Sequence, residues 1–322
     1  MSFESVKQLV AADLREVDGA IRTHLASEVV LVNQVAEYIV GSGGKRLRPL
    51  VVVLAAKACG CQGQRHTQAA AIVEFIHTAT LLHDDVVDSS MLRRGQDTAN
   101  AVWGNEASVL VGDYVYSRAF EMMVALGNMR IMEVMARATN RIAEGEVLQL
   151  MNAHDPDTTE ERYFEVIHRK TAQLFEAGTQ IAAILADGPA ELEDGMARYG
   201  RHLGTAFQLI DDVLDYQADR SQLGKNLGDD LAEGKPTLPL IYALKHGSEE
   251  QRAVIRGSIE QGSIDALPQI TAAIESTGGL AYTSRLARRE ASLAIEALAG
   301  LPDSAYKQAL RELADFAVER NY

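Results

Sequence analysis

The stretch that decides the fold is Leu81-Leu82-His83-Asp84-Asp85-Val86-Val87-Asp88, which closes a long apolar run and is followed by Arg93-Arg94-Gly95. Apolar residues leading into it recur with helical rather than alternating spacing. On a helix, Asp84 and Asp88 lie one turn apart on one face. The same spacing returns in Asp211-Asp212-Val213-Leu214-Asp215, behind Phe207-Gln208-Leu209-Ile210. If the two clusters face each other, six carboxylates crowd one cavity. Two unit charges about 5 Å apart repel by roughly 3 kcal/mol at an effective dielectric near 20. Such a site is stable only with cations between its walls. Oxygen donors without cysteine or histidine favour magnesium over zinc. Magnesium keeps waters and shares its sphere with substrate phosphates. The pattern therefore reads as a magnesium–diphosphate clamp.

Outward from these clusters the chain reads as helix almost throughout, interrupted by only 7 prolines. The first forty residues read as two amphipathic helices, ended by Gly41-Ser42-Gly43-Gly44. Lys45-Arg46-Leu47-Arg48-Pro49 then opens a helix with proline in its first turn, where it is tolerated. Arg48 stands near that helix N-terminus, a place that favours anions. A helix over about 67–88 carries the first cluster and aligns His77, Leu81, Asp84 and Asp88 on one stripe. Helices follow over 107–126 and 131–151, then His154-Asp155-Pro156-Asp157 and an N-cap at Thr158 or Thr159. A helix over 191–215 presents Gly204, Gln208, Asp211, Asp212 and Asp215, and a polar loop runs from Leu223-Gly224-Lys225 to Gly234-Lys235-Pro236. The remainder is helical and poor in motifs. No repeat and no low-complexity linker is present, so we expect one all-α domain over residues 1–322, a large helical bundle.

The bulk numbers exclude several classes. The 322 residues are 47% hydrophobic, enough for a large core. The net charge of −14 argues against a basic nucleic-acid surface. The polar start, Met1-Ser2-Phe3-Glu4-Ser5, has no signal-peptide character, and no apolar run reaches membrane-spanning length. The expectation is a cytoplasmic protein. Cys59 and Cys61 read as small residues at a helix end in a reducing compartment.

Basic residues stand beside glycines near both acidic clusters: Lys45, Arg46 and Arg48; Arg93 and Arg94; Lys170, Lys225 and Lys235. Any one is unremarkable as a surface charge. Together they suit diphosphate oxygens, arginine as a fork and lysine as a point charge. Met122, Met123, Met132 and Met135 form an apolar group whose default role is packing.

In Gly43-Gly44-Lys45-Arg46-Leu47-Arg48-Pro49, the first cluster through Arg93-Arg94-Gly95, Gly112-Asp113, Lys170-Thr171, the second cluster, and Gly224-Lys225 through Gly234-Lys235-Pro236, the chain resembles the trans-polyprenyl diphosphate synthases, most of all the bacterial octaprenyl type. The resemblance implies the isoprenoid-synthase fold with a central active-site cavity. It also implies head-to-tail condensation of isopentenyl diphosphate onto an allylic diphosphate, farnesyl in the octaprenyl type, for a quinone side chain. Asp84, Asp88, Asp211 and Asp215 would bind Mg2+, supported by Asp85 and Asp212. Arg93, Lys170, Thr171, Gln208, Lys225 and Lys235 would hold the allylic diphosphate; Lys45, Arg48, His77 and Arg94 would hold isopentenyl diphosphate. A homodimer and a membrane-directed product are implied as well. One departure is Ser89-Ser90-Met91-Leu92, less acidic than expected of the subfamily. Below the first cluster, Ala79 and Thr80 are small and leave a growing tail unblocked, with Met123 and Met135 near the floor of the tunnel.

Other readings weigh less. A terpene cyclase usually carries an Asn/Asp-Ser/Thr-Glu pattern in place of the second Asp triad. A phosphohydrolase built on His83-Asp84 needs further histidines that are not suitably spaced. A non-catalytic partner subunit typically loses acids from one cluster. A nonaprenyl or geranylgeranyl synthase is the stronger competitor, because chain length is read from shape.

Overall fold

The computed structural model describes residues 2–41, 44–93, 95–217 and 227–319. Arg94, Lys225 and the motif glycines Gly43 and Gly224 lie outside the described residues. The architecture is all-α, as expected. In chain order the helices are α1 (Phe3–Leu9), α2 (Ala11–Leu25), α3 (Val30–Gly41), α4 (Leu47–Ala58) and α5 (Arg65–Val87). A small antiparallel hairpin, β1 (Leu92–Arg93) with β2 (Gln96–Asp97), precedes α6 (Ala99–Trp103), α7 (Asn105–Leu126) and α8 (Met129–Asn152). After α9 (Glu160–Ile167) comes a π-helical turn, His168–Ala172, then α10 (Gln173–Leu185) and α11 (Ala190–Gln217). The last part holds α12 (Asp229–Ala232), α13 (Leu238–His246), α14 (Glu249–Gln261), α15 (Leu267–Thr277), α16 (Gly279–Ala297) and α17 (Ala305–Glu319).

Three features differ from the sequence expectation. The first forty residues form three helices, because Val10 leaves helical geometry at φ −122° between α1 and α2. The segment after Asp88 is a hairpin rather than a plain loop. The helix through Lys170 carries a π turn, which no periodicity announces. Of the two candidate caps before α9, Thr159 is the one whose side chain accepts from the Arg162 amide.

Two compact units are present. The first comprises Met1–Thr139, Leu174–Gly200 and Ala297–Leu313; the second comprises Asn140–Gln173, Arg201–Glu296 and Ala314–Tyr322. In the first unit α4 and α5 are buried on nearly every side. The α5 helix packs most extensively against α7. That approach needs Gly112, where a Cβ would stand 2.4 Å from Nε2 of His83. In the second unit two apolar clusters hold the end of α11. Leu209, Ile210 and Leu214 pack with Tyr163, Ile167, Leu238 and Ile241. Val213 and Tyr216 pack with Leu231, Leu240 and Ile255. What remains on the outward stripe of α11 is Gln208, Asp211 and Asp215.

Candidate active site

The first unit holds one acidic cluster and three of the four residues assigned to isopentenyl diphosphate. Asp84 and Asp88 are half-buried on the last turns of α5, while Asp85 is completely buried between them. Arg93 reaches back from β1, donating from Nε at 2.8 Å and lying with Nη2 at 2.7 Å from Oδ1 of Asp85. Burial nonetheless pushes the Asp85 carboxyl above its ordinary pKa, against the opposing pull of Arg93. The departing residues Ser89 to Leu92 build the turn that makes this reach possible. Ser89 adopts a left-handed φ of 51°, and the Ser90 carbonyl accepts from Thr98 Oγ1 at 2.7 Å and Asn100 Nδ2 at 3.1 Å. Acidic side chains are not needed for that turn.

Arg48 and His77, paired only by resemblance in the sequence, are neighbours in space. Nη1 of Arg48 lies 3.0 Å from Nε2 of His77, and its guanidinium stacks 4.7 Å from the Phe175 ring centre. Lys45 precedes α4 and is half-buried. Arg46 points elsewhere: it pairs with Glu74 and donates to the Val40 carbonyl at 3.1 Å, so its role is structural. Thr80 is half-buried, its hydroxyl bonded to the His77 carbonyl at 2.8 Å, whereas Ala79 is wholly buried. Met122, Met123 and Met135 are buried in this unit, as a packing group should be.

The second unit repeats the acidic arrangement with different partners. Asp211 and Asp215 are half-buried; Asp212 is buried. Tyr163 donates its hydroxyl to Oδ2 of Asp212 at 2.5 Å, and Gln208 Nε2 donates to Oδ1 at 2.8 Å. Burial raises the Asp212 pKa, with added repulsion from Asp230. Thr171 donates to Oε1 of Gln208 at 2.9 Å. Thr171 and Lys170 both sit in the π turn, a feature frequent at functional sites. Gly145 of α8 lets that turn approach, since a Cβ there would stand 2.6 Å from the Lys170 amide nitrogen. Lys170 Nζ pairs with Glu146 at 2.5 Å, and Lys235 pairs with Glu233. Gly234, at φ 67°, packs against His154, where a Cβ would meet Nδ1 at 2.3 Å.

Sequence reading missed Tyr163 and Glu146. Tyr163 and Ile167 form an i, i+4 apolar pair on α9, which reads as core; nothing in that spacing reveals the hydroxyl's partner. Glu146 is one acid among many on α8. An open recess of about 470 Å3 lies in the second unit, lined by Asn140, Val147, Leu148 and Arg169 among others; none of the sequence-predicted site residues lines it.

The donor set fits magnesium. The outer acids of each cluster present oxygen ligands on one face. Among the described residues no three His, Cys, Asp or Glu side chains gather closely enough to cage an ion. Magnesium does not require such a cage, since it is usually held by one or two carboxylates together with waters and phosphates.

Helical architecture, duplicated acids and basic residues around them define a class, and the chain belongs to it: the polyprenyl synthetase family, whose profile matches residues 29–274. The chain is 56% identical to the octaprenyl diphosphate synthase of Escherichia coli, covering all of both chains. It is 50% identical to the all-trans-nonaprenyl-diphosphate synthase (geranyl-diphosphate specific) of Rhodobacter capsulatus, over 97% of this chain and 96% of that one. A polyprenyl synthase of Caulobacter crescentus, solved with calcium and isoprenyl diphosphate, superposes with a TM-score of 0.96 at 43% identity, covering 100% of this chain and 98% of the other.

Proposed function

We propose that the protein is a trans-polyprenyl diphosphate synthase that extends an allylic diphosphate, farnesyl diphosphate by preference, with isopentenyl diphosphate to the octaprenyl length. The observation that carries this is the duplicated acid geometry: outer carboxylates half-exposed at i, i+4 and the middle one buried as an anchor. Such an arrangement suits a diphosphate bound through divalent ions, and the full-length identity to an octaprenyl synthase supports the product length.

In this reading Asp84, Asp88, Asp211 and Asp215 hold Mg2+, which supplies charge stabilisation to the leaving diphosphate. Lys170, Thr171, Gln208 and Lys235, with Lys225, bind the allylic diphosphate. Lys170 and Lys235 exchange their glutamate partners for phosphate oxygens, with no new charge buried. Arg93 is fixed by Asp85 through two nitrogens and offers the third to phosphate. Lys45, Arg48 and His77, with Arg94, bind isopentenyl diphosphate, and the Arg48–His77 contact orients that group. As the allylic C–O bond ionises, negative charge grows on the diphosphate where these cations already stand. The alkene of isopentenyl diphosphate attacks the allylic carbon, and a proton leaves, the departing diphosphate being the base at hand. Holding both reactants in register supplies an entropic gain. The growing tail passes Thr80.

Among the described residues no helix is long and apolar enough to cross a membrane. We read the enzyme as one catalytic domain, a cytoplasmic homodimer whose membrane-directed product serves a quinone side chain.

The test is product analysis. Purified protein is incubated with Mg2+, farnesyl diphosphate and labelled isopentenyl diphosphate, and the dephosphorylated products are sized. A dominant octaprenol is expected. Nonaprenol would keep the reaction and correct the length; no elongation with any allylic primer would leave a non-catalytic subunit.

A further inference from the structure

Three hydrogen bonds in the second unit join into one chain: Thr171 to Gln208 at 2.9 Å, Gln208 to Asp212 at 2.8 Å, and Tyr163 to Asp212 at 2.5 Å. We infer that Tyr163 is a positioning residue for diphosphate binding, holding Thr171 and Gln208 in a fixed donor–acceptor orientation through Asp212. The inference rests on the prenyl-transfer reading above.

Each link has a physical reason. Tyr163 belongs to the apolar cluster of Ile167, Leu209, Ile210 and Leu214, which a phenylalanine would fill as well. Only the hydroxyl reaches a polar atom, and that atom is Oδ2 of Asp212. Asp212 is 1% exposed, with each of its two oxygens taking one of these donors. It is therefore an anchor and not a ligand of substrate. Oδ1 of Asp212 accepts from Gln208 Nε2, so the amide turns Nε2 toward the carboxyl group and Oε1 away from it. Oε1 in turn accepts the hydrogen bond of the Thr171 hydroxyl. The polarity of the chain leaves the second Nε2 hydrogen of Gln208 for a phosphate oxygen.

The far end of the chain is the part that needs holding. Thr171 sits in the π turn at His168–Ala172, where the helical hydrogen-bond register is interrupted. Its side-chain bond to α11 ties that turn to a helix packed on two sides by apolar clusters. Lys170, the neighbouring residue, is carried along with it.

The test is a double-mutant cycle on Tyr163→Phe and Thr171→Val in the full chain. Binding of magnesium pyrophosphate is read by calorimetry, and KM is measured separately for farnesyl and isopentenyl diphosphate. Loss of such an orienting partner typically costs 10- to 100-fold, so each single variant should weaken pyrophosphate binding by about tenfold. The double variant should fall within about twofold of the weaker single, because both cut the same chain. KM for farnesyl diphosphate should rise in parallel while KM for isopentenyl diphosphate stays within about twofold. Unchanged binding in Tyr163→Phe overturns the inference. So does an additive loss of about a hundredfold in the double variant, the mark of independent sites. An equal rise in both KM values overturns it too, as general loosening. If Tyr163→Phe loses its cooperative thermal transition, the cycle of Thr171→Val with Asp212→Asn replaces it. Coupling there supports the chain and additivity overturns it. A wild-type protein that neither binds pyrophosphate nor elongates overturns the functional reading, and this inference with it; an active wild type with unaffected variants overturns only this inference.

Discussion

The end of α5 and the end of α11 carry the same acidic spacing and bury the same member of it, yet they hold that member by different means. Asp85 is held by a guanidinium that a hairpin carries back to it. Asp212 is held by two neutral donors, a phenol and an amide. The spacing dictates the outward pair, because positions i and i+4 share a helix face. It turns the middle acid inward on both helices. It says nothing of what meets that acid inside. A buried carboxylate without a partner is costly, so each unit supplies one from its own local structure.

The comparison breaks first on the outer acids. Asp84→Ala and Asp211→Ala should each lower kcat by about 10²–10³-fold, as losing one preorganised charge-stabilising contact does elsewhere. Steady-state elongation kinetics would show it, and a near-normal rate in one of the two would mean that the clusters are not equivalent.

The inner acids should differ in stability. Arg93→Ala strands the Asp85 carboxylate and should cost about 3 kcal/mol in urea unfolding at neutral pH. Tyr163→Phe leaves Gln208 in place and should cost less, about 2 kcal/mol. The Arg93 deficit also depends on pH. The folded-state pKa of Asp85 is already raised by burial. Such a group costs stability as pH rises above its unfolded value near 4, about where the free side chain titrates. Removing Arg93 raises that pKa further, so the deficit should be smallest at about pH 4 and grow toward neutrality. A deficit that shrinks with rising pH would contradict the assignment.

Glycines sharpen the contrast further. Alanine at 145 would meet the backbone of Lys170, and alanine at 112 would meet the side chain of His83. Overpacking costs about 1–3 kcal/mol, and Gly145→Ala belongs at the upper end because backbone cannot swing aside. Thermal unfolding of the two variants ranks them. No recovery of stability when His83→Ala is added to Gly112→Ala would mean that His83 is not the obstacle.

The smallest effect on rate belongs to chain length. Thr80→Phe should shorten the product while leaving the first condensation near normal, as sizing of the prenols would reveal. Ala79→Tyr is the poorer probe, since Ala79 is completely buried and a ring there strains the core. An unchanged product from Thr80→Phe would remove Thr80 from the path of the tail.

The sequence by itself determined the helical class and the two acidic helix faces, because helical periodicity and charge spacing are local properties. It also placed Arg48 with His77 and Lys170 with Thr171, though only through the order of familiar motifs. Tertiary structure alone decided which basic residue serves the fold, as Arg46 does with Glu74, and which carboxylates are anchors. It decided that Gly112 and Gly145 exist for close approach, that Ser89 to Leu92 form a turn with no need of acids, and that Lys170 rides on a π turn. The physical reason is the same in each case. A side chain's partner comes from a segment tens of residues away, and packing, not spacing, brings that segment within 3 Å, the length of an ordinary hydrogen bond.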